Sequence, residues 1–138
     1  MLSFLKEEGK ETSADNLSAV KTNELLSRIH KLMGERKPFL QPHYTLEDLA
    51  RDLEIPAYQL SAFVNTIMQQ RYNDLINNYR IAYCLEQLKN NESFMTRVHH
   101  LAAACGFGNR NTFISAFKKV THQTPHAYLS QLKKQREH

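Results

Sequence analysis

The sequence lacks the features that mark membrane proteins, secreted proteins and most enzymes. No apolar run approaches the length of a membrane span. The two cysteines lack the spacing of a metal site, and both fall on apolar helix positions, as expected for small buried side chains of a reduced, cytoplasmic protein. No nucleophile elbow, phosphate-cradling glycine loop or paired-acid motif is present. We therefore expect no enzymatic activity and no cofactor.

The histidines offer no metal site either. His99 and His100 are neighbours in sequence and therefore point to different sides of a helix. His122 and His126 have i, i+4 spacing, but Pro125 starts a new helix between them and no acid or cysteine completes a site. We expect no bound metal, and a surface or phosphate-side position for this second pair.

Charge is distributed unevenly, although the net charge of the 138 residues is only +4. Residues 43–92 carry four Lys or Arg against seven Asp or Glu, whereas residues 93–138 carry seven against one. If the partner is nucleic acid, the second half should supply most of the electrostatic affinity.

Apolar periodicity predicts an all-α chain. Residues 1–22 are polar and mixed in charge, and we interpret them as a linker or N-terminal arm. A helix should run from residue 23 to residue 36, followed by an extended connection over residues 37–44 that Pro38 and Pro42 stiffen. Thr45 is a good N-cap for a short helix, and a second short helix should begin after Pro56.

The segment 71–90 carries two apolar stripes with helical spacing. They consist of Tyr72, Leu75, Ile76 and Tyr79, and of Ile81, Cys84, Leu85 and Leu88. Nine steps of about 100° turn roughly 900°, so the stripes lie on opposite sides of the helix. This pattern favours a helix connecting two lobes. A helix buried all round in one core would have to bury several Asn, Asp, Glu and Gln side chains.

An internal repeat is the strongest signal in the sequence. Val98, Leu101, Ala102 and Cys105 repeat Leu46, Leu49, Ala50 and Leu53 at an offset of 52. Phe113, Ala116, Phe117 and Val120 repeat Leu60, Phe63, Val64 and Ile67 at an offset of 53, as Tyr128 and Leu129 repeat Leu75 and Ile76. The chain therefore contains two copies of one helix-turn-helix unit.

Two stretches carry a resemblance to a known family. One is L-A-x-x-C-G-F-x-N-x-N-x-F-x-x-x-F-K-K, Leu101 to Lys119, followed by T-P-H-A-Y from Thr124. The other is T-L-E-D-L-A-R-D-L from Thr45, with N-x-Y-R ending at Arg80. Both resemble the AraC/XylS family of transcription regulators, and the resemblance covers roughly residues 23–135.

This resemblance implies a homeodomain-like, all-α domain of the AraC type, with two helix-turn-helix subdomains joined by a long connector helix. The lobes would be residues 23–70 and 91–138, and the connector residues 71–90. Two recognition helices would enter successive major grooves of double-stranded DNA. The sequence of residues 25–80 is most similar to sensor-fused or membrane-anchored members of the family. This similarity implies that the chain is a C-terminal piece of a longer protein whose sensor domain is absent here. RNA polymerase and a second copy of the chain are further partners that this reading allows.

Several positions depart from the family's pattern. Glycine is usual in the turn of the first unit and after each recognition helix, where this chain has Glu54, Gln69 and His122. If the backbone there is left-handed, these residues carry strain. Ala62 and Asn65 stand where the family commonly has basic residues, so base reading by the first unit should be weak.

The exposed faces of the two units supply the candidate DNA contacts. In the second unit these are Asn109, Arg110, Asn111, Ile114, Ser115, Lys118, Lys119 and Thr124. In the first unit they are Thr45, Tyr58, Gln59, Ser61, Ala62 and Asn65. Arg can bond both acceptors of guanine, Asn can pair with the adenine edge, and Ile can touch a thymine methyl group. The main alternative is an all-helical module that contacts a partner protein or RNA polymerase, which the acidic first unit favours.

Overall fold

The computed structural model describes residues 12–90 and 97–136, with side chains from residue 21 onward. Within these ranges the chain forms seven α-helices and no strand. The helices are α1 (Thr12–Arg36), α2 (Leu46–Leu53), α3 (Ala57–Ala62), α4 (Tyr72–Asn90), α5 (Val98–Ala104), α6 (Arg110–Thr121) and α7 (Pro125–Arg136). None of the helices in these ranges is long and apolar enough to cross a membrane. The predicted all-α class is confirmed.

Helix α1 begins at Thr12 and not at Asn23, so the predicted start of this helix was wrong. The physical reason is that no glycine or proline interrupts the chain between Thr12 and Met33, and local polarity does not by itself prevent a helix. The part of the predicted arm that carries Leu2, Phe4 and Leu5 lies outside the described residues.

The connection after α1 is compact and not extended as predicted. Lys37 adopts a left-handed conformation with φ 48°, and residues Pro38–Leu40 form a 3-10 turn. The turn forms because Phe39 is buried, its ring stacked on Tyr79 with centroids 5.8 Å apart. Burial of one aromatic ring therefore folds this segment onto α4.

The start of α2 follows the sequence prediction closely. The Thr45 side chain accepts a hydrogen bond from the Asp48 backbone N–H at 3.1 Å, and the Asp48 carboxylate accepts one from the Thr45 N–H at 3.0 Å. This reciprocal capping box satisfies two N–H groups that a helix start otherwise leaves unpaired. It also lowers the pKa of Asp48, chiefly through the backbone hydrogen bond from Thr45.

Two apolar cores lie along the chain, and α4 contributes to both. The first core includes Leu75 and Ile76 of α4 together with side chains of α1, α2 and α3. The second core includes Ile81, Cys84 and Leu88 of α4 together with side chains of α5, α6 and α7. The connector helix is thus shared by two helix-turn-helix units, the first formed by α2 and α3 and the second by α5 and α6.

The two units differ at the end of their second helix. Residues Phe63–Ile67 form a π-helical turn that continues α3, whereas α6 is a regular α-helix to its end. A π turn inserts one extra residue per turn and changes which side chains face the core. Val120, which repeats Ile67 in the sequence, is 39% exposed, whereas Ile67 packs partly buried against the first core.

A buried arginine joins the middle of α4 to the turn after α1. Arg80 is only 7% exposed, and its guanidinium donates to the carbonyl oxygens of Phe39 at 2.6 Å and Gln41 at 2.7 Å. The same guanidinium lies 5.4 Å from the ring centroid of Phe107, in the turn of the second unit. Arg80 therefore contacts both halves of the chain.

The turn of the second unit packs against this junction so closely that it requires glycine. Gly106 has φ +93°, and a Cβ atom there would lie 2.5 Å from the Phe39 carbonyl oxygen and 2.8 Å from the Leu40 Cα. No larger residue fits between these two backbones without moving one of them.

The three predicted left-handed positions are confirmed. Glu54 has φ 59°, Gln69 φ 55° and His122 φ 64°. Glu54 and His122 end α2 and α6, where a glycine would adopt the same conformation without strain.

Candidate nucleic-acid interface

Helix α6 is held by its apolar face and leaves its opposite face open. Its start is capped by Asn109, whose side-chain oxygen accepts a hydrogen bond from the Thr112 N–H at 3.1 Å. Phe113 and Phe117 are completely buried, and their rings meet edge to face. Phe117 meets Tyr128 of α7 in the same way. These contacts fix the rotation of α6 about its axis, and hence the direction of its polar side chains.

The predicted set on α6 is mostly, but not entirely, free to meet a ligand. Arg110, Asn111, Ser115 and Lys118 are exposed. Ile114 is only partly exposed because it packs against the second core. The structure thus brings four polar side chains of one helix to the same surface.

Two other predicted residues already have partners within the chain. The Lys119 ammonium lies 3.6 Å from the Asp74 carboxylate, so α6 is tied to α4 by an exposed ion pair. Thr124 caps α7, because its hydroxyl accepts a hydrogen bond from the Ala127 N–H at 3.1 Å. Both residues thus have a structural role within the chain, and both are also exposed to solvent.

The first unit presents a less charged surface. Tyr58 is 79% exposed, and Gln59, Ala62 and Asn65 are exposed as well. Ser61 is half-buried, and its hydroxyl oxygen lies 3.5 Å from the Asn65 amide that donates to it. Thr45 is exposed but engaged in the capping box. No Lys or Arg occurs between Ala57 and Gln70, so contacts from this surface would be polar or apolar.

Basic side chains that the sequence prediction did not select lie next to α6. Arg97, His99, His126 and Lys133 are exposed and line a groove with Arg110. The neighbouring His100, followed by partial desolvation and the charges of Arg97 and Arg110, holds the pKa of His99 below its ordinary value. The repeat offsets contained the signal for this cluster, because they assign Arg97 and Lys133 to the positions of Thr45 and Arg80 in the first unit.

The cysteines and histidines form neither a disulfide nor a metal site in the described part of the chain. Cys84 and Cys105 are buried, unpaired as a disulfide and hydrogen-bonded to each other, which together with burial raises the pKa of the Cys84 thiol. Residues 12–90 and 97–136 hold no group of three His, Cys, Asp or Glu side chains arranged to bind a metal.

Two helix-turn-helix units on one connector helix, with exposed polar faces on α3 and α6, define a helix-turn-helix DNA-binding domain. A family model described as helix-turn-helix domain matches residues 49–131, which is more than half of the chain. The chain belongs to this AraC-type helix-turn-helix family. It is a DNA-binding domain of a transcription regulator, as the resemblance predicted.

Several solved structures have the same fold. The chain is 25% identical to the C-terminal domain of AraT, a response regulator from Geobacillus stearothermophilus, with a TM-score of 0.57 over 69% of this chain and 76% of that one. A protein of unknown function from Listeria innocua matches with 24% identity and a TM-score of 0.62, over 76% of this chain and 94% of that one. The C-terminal domain of the two-component response regulator yesN from Fusobacterium nucleatum matches with 23% identity and a TM-score of 0.59, over 79% of this chain and 98% of that one. No curated protein matches the chain.

Proposed function

We propose that the chain binds specific double-stranded DNA sequences by placing α3 and α6 in successive major grooves on one face of the duplex. The observation that carries this proposal is the shared connector α4, which has 19 residues. At 1.5 Å per residue this helix is roughly 28 Å long, comparable with the ~34 Å rise of one DNA turn. In this view residues 23–70 and 91–138 act as two lobes that α4 holds at a fixed separation.

Base reading would fall mainly to the second unit. Arg110 and Asn111 project from the first turn of α6, and their side chains suit guanine and adenine, respectively. Lys118 suits a backbone phosphate. Ile114, half-buried against the second core, could offer only part of its side chain to a thymine methyl group. Tyr58 and Ala62 would make weaker contacts from the first unit.

Random-site selection with the purified chain tests this proposal. We expect two short sequence elements about one helical turn apart, with the stronger preference in the element bound by α6. Arg110→Ala should relax the preference at one base position and cost about 1–3 kcal/mol there. Lys134→Ala, which removes one positive charge from exposed α7 surface, is the control and should leave base preference unchanged. Selection of a single element would contradict binding to two grooves, and an unaltered preference in Arg110→Ala would contradict base reading by Arg110.

The acidic first unit favours a second role beside DNA binding. Glu47 and Glu54 are exposed and Asp52 half-exposed around α2, so this surface suits a basic patch on a partner protein such as RNA polymerase. If the chain bound only protein, its retention on duplex DNA would be absent at low salt, whereas DNA binding should weaken steeply as salt rises.

Location and partners follow from the same function. Two of the similar structures are C-terminal domains of response regulators. We therefore propose that this chain acts in the cytoplasm as the output part of a longer regulator with an N-terminal sensor. Association of two such chains on DNA would be visible as a second, larger complex in a gel-shift titration.

A further inference from the structure

The two halves of the chain carry grooves at corresponding places. The second groove, about 610 Å³ in volume, has a polar lining of Arg97, His99, Arg110, His126, Ser130 and Lys133. The first groove, about 500 Å³, is lined among others by Thr45, Glu47, Asn73, Asn77 and Arg80. Each lies between the start of the first helix of a unit and the helix that follows the unit, α4 or α7.

The grooves are related by the internal repeat. At the offset of 52 that applies before the turn, Arg97 corresponds to Thr45 and His99 to Glu47. At the offset of 53 that applies after it, His126 corresponds to Asn73 and Lys133 to Arg80. Because the backbone plan is the same, any difference in what the grooves bind must come from these side chains.

The side chains differ mainly in charge. In the first groove the guanidinium of Arg80 is buried against backbone carbonyls, which leaves Glu47 as the exposed charge. In the second groove Arg97, Arg110 and Lys133 are all exposed, and no acidic side chain lines it. Among residues 21–90 and 97–136, no carboxylate forms an ion pair with any of these three. Among the described residues, therefore, no acidic side chain balances the positive charge of the second groove.

We propose that the second groove binds a phosphate of the DNA backbone beside the bases that α6 reads, and that the first groove does not. The proposal rests on the DNA-binding function proposed above and assigns Arg97 and Lys133 as the phosphate ligands. Arg110 is the first residue of α6 and also lines the groove, so it places the bound phosphate next to the base contact. Such contacts add affinity without sequence preference.

Fluorescence anisotropy with a labelled duplex of mixed sequence, in a KCl series from about 50 to 200 mM, tests this assignment. Arg97→Gln and Lys133→Gln should each weaken binding about 3- to 10-fold and lower the slope of log affinity against log salt by about 0.9, the value for one phosphate contact. Lys134→Gln is the matched control: it removes the same charge one residue further along α7, outside the groove, and should leave the slope within about 0.2 of the unsubstituted chain. Lys133→Arg should retain the full slope, because a phosphate contact needs a positive charge at this place.

The outcomes separate the two proposals. If the unsubstituted chain binds the duplex but Arg97→Gln and Lys133→Gln behave like Lys134→Gln, the groove assignment is overturned and the DNA-binding proposal stands. If the unsubstituted chain fails to bind any duplex at low salt, both are overturned. Circular dichroism of each variant verifies the fold, and all substituted side chains are exposed, so unchanged helicity is expected.

Discussion

Replacing Arg80 by methionine should destabilise the chain more than any other single substitution of a charged residue. Arg80 is the one charged side chain buried within the described residues. It donates to the carbonyl oxygens of Phe39 and Gln41, to the Asn77 side chain at 3.2 Å, and faces the ring of Phe107. Methionine is of similar length and would keep the apolar contacts but none of the hydrogen bonds.

The magnitude follows from these contacts. A hydrogen bond from a charged donor contributes about 1.5–3 kcal/mol, so the two short bonds represent about 3–6 kcal/mol. The cost of burying the guanidinium, which also lowers the pKa of Arg80, offsets part of this sum. In Arg80→Met the carbonyl oxygen of the buried Phe39 would lose its donor, which is part of the same loss, whereas Gln41 is exposed and water can replace the donor to its carbonyl oxygen. We expect a net loss of about 3–4 kcal/mol.

Urea unfolding followed by helical circular dichroism measures this loss. The control is Arg51→Met, because the side chain of Arg51 is 73% exposed and its ion pair with Asp48 should contribute less than about 1 kcal/mol. Arg80→Lys should lie between, since an ammonium group keeps the charge but cannot match the fork of the guanidinium. If Arg80→Met costs no more than Arg51→Met, the junction is not what stabilises the contact between the two halves.

Three further predictions concern backbone and pH. Gly106→Ala should lower the free energy of unfolding by at least about 2 kcal/mol, because its Cβ would clash with the turn after α1. Gly34→Ala, which has open space around it in α1, should raise the free energy of unfolding by about 0.5–1 kcal/mol. Equal urea midpoints for the two variants would refute this prediction. His122→Gly should stabilise by up to about 1 kcal/mol by relieving the left-handed conformation, and a lowered thermal midpoint would count against strain there. The lowered pKa of Asp48 means that its stabilisation is present above the carboxyl's unfolded pKa and is lost as pH falls through the folded one, so Asp48→Asn should flatten the acid dependence of the urea midpoint.

Much of the fold could be predicted because it rests on local patterns. The apolar stripes of α4 predicted that its side chains lie in two cores. Thr45 as N-cap predicted the first residue of α2 correctly. The left-handed positions Glu54 and His122 were expected because the family that the sequence resembles usually has glycine there. In each case the determining interactions lie within a few residues of one another in sequence.

The remainder depends on contacts between distant residues. The partners of Arg80 lie about 40 residues away, in a segment whose two prolines suggested an extended chain. The π-helical turn at Phe63–Ile67, which α6 does not repeat, leaves no pattern in the sequence. The candidate site was incomplete for a related reason: apart from Thr45 and Thr124, the selected residues lie on or at the start of the second helix of each unit, while Arg97 precedes α5 and Lys133 belongs to α7.

The position of Arg80 near the middle of α4 also sets an angular tolerance. Each half of α4 has about nine residues and is about 13 Å long, so a bend of about 10° at its midpoint would displace either end by about 2 Å. Successive base pairs are ~3.4 Å apart, so that displacement is more than half a step. If α3 and α6 bind DNA as we propose, a junction that resists bending would keep both helices in register with the same pair of DNA sites.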